Sequence, residues 1–137
     1  MKHLIIWLFL VLCMQANAQS EVVGKKVADA YNAATLDKMT ESEIRWQNFL
    51  AEKMCIIHNS STDKPGSFTE ITLQSAGGDN LSELTTETFN PLVYGITPLP
   101  SEHQYLKIMG TDKIIFVYSM DRLLVMYNRH LTNLKKS

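Results

Sequence analysis

Residues 113–120 are apolar on both alternating sides, and that constrains the fold more than any other stretch of this chain. Read as a strand, Ile114, Phe116, Tyr118 and Met120 point one way, and Ile115, Val117 and Ser119 the other. An antiparallel strand with one wet face alternates apolar with polar residues. This one does not, so both of its faces need cover.

Its neighbours extend the problem. Residues 105–109 and 123–128 also read as strands. Gly110-Thr111-Asp112 and Met120-Asp121-Arg122 are short enough for hairpin connections, which makes the three runs a meander. In the last run Leu123, Val125 and Tyr127 oppose Leu124 and Met126. Leaving such side chains bare costs roughly 1.5–3 kcal/mol each relative to burial. The surplus has three possible covers: residues 85–100 of the same chain, a partner or second copy, or a ligand enclosed by sheet curvature.

The first half reads as helical. Val23, Val27, Ala30, Tyr31 and Ala34 recur at helical spacing and predict a helix over 21–36. A second helix over 39–54 has a clear start. Thr40-Glu41-Ser42-Glu43 fits a capping box, and Met39 and Ile44 occupy the two positions of a hydrophobic staple. Trp46, Phe49, Leu50 and Met54 form its packing face. After a loop signal over 59–66, residues 68–74 alternate as a half-exposed strand. Residues 80–89 suit a short helix or a strand. Residues 92–96 read as a short strand, and Pro98 and Pro100 stiffen the connection after it. The expected fold is α+β: two N-terminal helices packed on an antiparallel β-meander sheet of about four to five strands.

The other end of the chain addresses compartment. Met1-Lys2-His3 precedes an apolar run from Leu4 to Met14, and Ala16-Asn17-Ala18 offers small residues before Gln19. This is the layout of a secretory signal peptide cleaved between Ala18 and Gln19, leaving 19–137 as one small domain. The apolar run is too short for a stable membrane span, which needs roughly 20 residues. Cys13 follows bulky Leu12, an unsuitable context for lipidation at that cysteine. The chain is expected in the periplasm or outside the cell.

Composition excludes some functions. The net charge is −1, with the signs interspersed, so no basic face for nucleic acid stands out. Loss of Cys13 with the leader leaves Cys55 alone and rules out an internal disulfide. Cys55 between Met54 and Ile56 reads as a buried small side chain, with an intermolecular bridge or a reactive thiol as the alternatives.

No metal, phosphate or dinucleotide motif appears, and no cofactor is expected. His58, His103 and His130 lack metal-ligand spacing. A Cys55–His58 dyad is disfavoured in a strand, where residues three apart face opposite ways. Glu83 and Glu87 are the one acidic pair spaced to flank a ligand.

The expected function is therefore non-catalytic binding of a protein partner or second copy through a sheet face or edge, as an inhibitor, immunity-type protein or accessory subunit. Phe116, Tyr118, Met120, Leu124, Met126 and Tyr127 are the candidate contact residues. The alternative is a cone-shaped ligand-binding or enzymatic domain, with Tyr31, Trp46, Tyr105, Tyr118 and Tyr127 lining a pocket between helices and sheet.

Overall fold

A computed structural model describes residues 21–60, 67–76 and 78–136. The expected leader, its cleavage point and most of the 59–66 loop signal lie outside the described residues.

The N-terminal half is helical, in three pieces. α1 (Lys25–Ala30) and α2 (Ala33–Lys38) replace the single helix expected over 21–36. The break falls at Tyr31, which is extended, and Asn32, whose side chain caps the next helix by accepting from the Thr35 amide at 2.8 Å. α3 (Glu41–Lys53) starts where the sequence indicates: Thr40 Oγ1 accepts from the Glu43 amide at 3.1 Å, and the Glu43 carboxylate accepts from the Thr40 amide at 3.2 Å.

The sheet has four strands: β1 (Cys55–Asn59), β2 (Thr69–Ile71), β3 (Gln104–Ile108) and β4 (Lys113–Val117). Their spatial order is β1-β4-β3-β2. β3 and β4 form the expected hairpin, with Gly110 at φ 83° in its turn, a backbone state that only glycine adopts cheaply. β1 pairs antiparallel with β4 on the other side.

The expected all-antiparallel meander is wrong in two respects. The sheet is mixed, because the three-residue β2 lies parallel to β3 at the edge opposite β1. Residues 72–74 leave the ladder, so the alternation over 68–74 overstated this strand. The supposed third meander strand, residues 123–128, is helical. It belongs to α4 (Met120–Lys136), so the helices are not two N-terminal ones.

Local chemistry explains why α4 wins over a strand. Ser119 Oγ accepts from the Arg122 amide at 3.2 Å, a helix N-cap. The amides of Met120 and Asp121 donate to the carbonyls of Leu99 and Pro100 at 2.8 and 3.0 Å, satisfying donors that a helix start leaves open. Asp121 in the first turn and Lys135 and Lys136 in the last complement the backbone dipole.

Residues 81–96 are neither helix nor strand for most of their length. Leu81–Glu83 forms one 3-10 turn capped by the Asn80 side chain, and residues 91–95 are a turn where a strand was expected. Pro91 supplies no amide for a ladder, and Gly95 sits at φ 67°.

One core joins these parts. Phe49, Leu50 and Met54 of α3, Leu123 of α4, and Leu84 and Phe89 pack with Cys55, Ile108, Ile115 and Val117. All are under 8% exposed, and Ile115, Val117 and Leu123 are fully buried. Helices and the 84–96 segment thus share one face of the sheet.

Candidate functional site

The pairing register sorts the strand residues into two faces. Cys55, Ile57, Leu106, Ile108, Ile115 and Val117 face the helices. The opposite, outer face carries Ile56, Phe116 and Tyr105 in one row, and His58, Ile114 and Lys107 in the next. The double-sided apolar character of β4 therefore has two destinations. Ile115 and Val117 enter the core, whereas Phe116 sits at the centre of the outer face.

Phe116 organises an aromatic cluster. Its ring centroid lies 4.8 Å from Tyr118, 5.2 Å from Tyr105, 5.4 Å from His103 and 6.5 Å from His58. Phe116 and Tyr118 meet at 82°, the edge-to-face geometry that the ring quadrupole favours, whereas Tyr105 and Phe116 are tilted at 53°. Phe116, Tyr105, Tyr118 and Ile56 are half-buried and His103 is exposed, so the cluster retains solvent-facing apolar surface. Ile114 beside them is buried.

The cluster runs into a shallow cleft of about 430 Å³ lined by Ser67, Phe68, Thr69, Leu99, Glu102, His103, Gln104 and Tyr105. Phe68 and Leu99 are 47% and 42% exposed there. His103 and Tyr105 belong to both cluster and cleft. Together they make an aromatic surface that continues into a cleft of mixed polar and apolar lining.

The six contact residues expected from the sequence divide between two places. Phe116 and Tyr118 meet in the outer cluster. Met120 opens α4, Leu124 is exposed on that helix, and Met126 and Tyr127 pack against the core beneath it. Tyr127 lies 4.9 Å from Trp46, 5.1 Å from Phe49 and 6.5 Å from His130, so these rings pin α4 to α3. The reading that set all six on one sheet fails because residues 123–128 form a helix that packs on the inner face through Leu123, Met126 and Tyr127, not a strand beside β4. Tyr105 and His103 were not among the contacts expected at the sheet face. Their signal was alternation in the neighbouring strand, which places Tyr105 opposite Phe116.

The residues expected to line an inner pocket disperse as well. Tyr105 and Tyr118 join the outer cluster, Trp46 and Tyr127 pack between two helices, and the Tyr31 hydroxyl donates to Gln47 at 3.0 Å.

Candidate chemistry is sparse. Burial pushes the Cys55 thiol up to about 12, against which the nearby Lys26 ammonium pulls only weakly downward. Cys55 faces the core and His58 the outer side, as strand geometry requires, so they form no dyad. His130 rests by Phe49 and Tyr127, remote in the fold from the cluster holding His58 and His103. Among the described residues no group of three His, Cys, Asp or Glu side chains is placed to hold a metal ion.

A second cleft of about 690 Å³, richer in charged side chains, lies between α1 and the loop region 76–93, lined in part by Lys25, Lys26, Asp29, Asp79, Glu87 and Asn90. Its polar groups are largely engaged. Lys25 pairs with Asp29, Tyr94 donates to Asp79, and Asn90 donates to the Lys26 carbonyl. Of the Glu83–Glu87 pair, only Glu87 lines it.

The chain matches no protein-family model, no curated protein and no solved structure.

Proposed function

We propose that this is a small exported, non-catalytic binding protein that recognises another protein through the outer face of its sheet. The observation that carries the reading is the half-open cluster around Phe116, on the face away from α3, α4 and the 84–96 segment. Large aromatic side chains in a desolvatable centre with a polar rim are what protein interfaces concentrate their binding energy on. Here Glu70, Glu102 and Lys107 supply the rim.

Export rests on the leader pattern of residues 1–18. No helix among the described residues is long and apolar enough to cross a membrane.

The test compares the tagged chain with Phe116→Ser and Tyr105→Ser after purification from cells that secrete it, using native mass spectrometry. The parent chain should carry a stoichiometric protein partner, either another species or a second copy. Both substitutions should release it while the melting temperature still shows a folded domain. A strictly monomeric parent chain carrying only a small molecule would overturn the reading.

A further inference from the structure

The solvent face of α4 is separate from the aromatic sheet surface, and it is strongly biased in charge. Along Met120–Lys136 there are four cations, Arg122, Arg129, Lys135 and Lys136, against the single carboxylate of Asp121, in a chain whose net charge is −1. All four cations are exposed. Elsewhere Lys25, Lys26, Arg45 and Lys113 each hold a carboxylate within 4.0 Å, whereas the four cations of α4, like Lys38, Lys53 and Lys107, form no ion pair among the described residues.

Their spacing is regular. Arg122, Arg129 and Lys136 are seven residues apart, which places them on one side of the helix at intervals of about 10 Å. A groove of about 500 Å³ runs along the same side, lined by Val125, Asn128, Arg129, Thr132, Asn133 and Lys136. These six residues form two adjacent rows at four-residue spacing: Val125-Arg129-Asn133 and Asn128-Thr132-Lys136. Such rows are the ridges between which a second helix inserts its own side chains. Val125, 46% exposed, gives the groove an apolar start, Arg129 and Lys136 line it, and Arg122 lies one heptad before Arg129 on the same side of the helix.

From this juxtaposition we infer that the outer side of α4 docks an acidic helix of a partner protein, its carboxylates at seven-residue spacing meeting Arg122, Arg129 and Lys136. Thr132 and the two asparagines leave room for small side chains between the charged contacts. Complementary charge at flanking positions sets partner choice and orientation in helix pairing, which gives this row a selective role.

The probe is a labelled synthetic helical peptide with glutamate at every seventh position, titrated by fluorescence anisotropy into the processed chain. It should bind, and binding should weaken as salt is raised. Arg129→Glu should weaken it at least tenfold, whereas Arg129→Lys should retain most of it. The triple variant Arg122→Glu, Arg129→Glu, Lys136→Glu should instead bind a lysine version of the peptide, an exchange that misfolding cannot produce. Phe116→Ser should leave peptide binding unchanged, which separates this site from the sheet surface. Failure of the glutamate peptide to bind, indifference to charge reversal, or equal capture by phosphatidylglycerol vesicles would each overturn the inference.

Discussion

Cys55 shows how one environment decides a residue's chemistry. With 6% of its surface exposed and its thiol pushed from an ordinary 9.0 to about 12, it has about a thousandfold less thiolate at pH 8 than a free cysteine would. Iodoacetamide labelling at pH 8 should therefore be slow in the folded protein and become fast in denaturing urea. Rapid labelling of the native chain would contradict the burial. A pKa raised on folding also favours the folded state below the unfolded value and loses that contribution as pH climbs from 9 towards 12. Denaturant midpoints should accordingly fall over that window in the parent chain and fall less in Cys55→Ala.

At the level of elements, α4 is the sharpest test, because strand and helix assign its side chains differently. A strand puts Leu123 and Val125 on one face, whereas the helix buries Leu123 completely and leaves Val125 46% exposed. Leu123→Ala should cost about 2–5 kcal/mol of stability, and Val125→Ala less than about 1 kcal/mol, measured by urea unfolding. Similar costs at both positions would restore the strand. Thr40→Ala should cost about 1 kcal/mol through loss of the α3 cap, read the same way.

These elements also show what the sequence could disclose. The capping box of α3 was legible because its two hydrogen bonds are local, and β3–β4 because a short glycine-containing turn joins two strand-like runs rich in β-branched and aromatic residues. α4 was misread because Leu123 to Tyr127 is unbroken apolar sequence, which carries no period of its own. Its true markers were Ser119 as cap and Asp121 in the first turn. Asn32 likewise hid a helix break. The parallel pairing of β2 depends on a contact with β3 across more than thirty residues, and nothing local specifies it. At the candidate site Phe116 and Tyr118 were visible from the doubly apolar run. Tyr105 and His103 needed the cross-strand register to join them.

For the molecule as a whole, the distribution of apolar surface links fold to function. The helices and the 84–96 segment exclude water from one sheet face, and the same connectivity leaves the rings around Phe116 half open on the other. An exported chain should be recovered with Gln19 at its N-terminus, a mass that intact-protein spectrometry reads directly; retention of residues 1–18 in the secreted material would remove the case for export. The most direct test of recognition through the outer face is photo-crosslinking in the producing cells, with a benzophenone amino acid at position 105 and, as control, at position 53 on the exposed flank of α3. Position 105 should give one discrete protein adduct and position 53 none. No adduct at 105, or the same adduct from both positions, would contradict it.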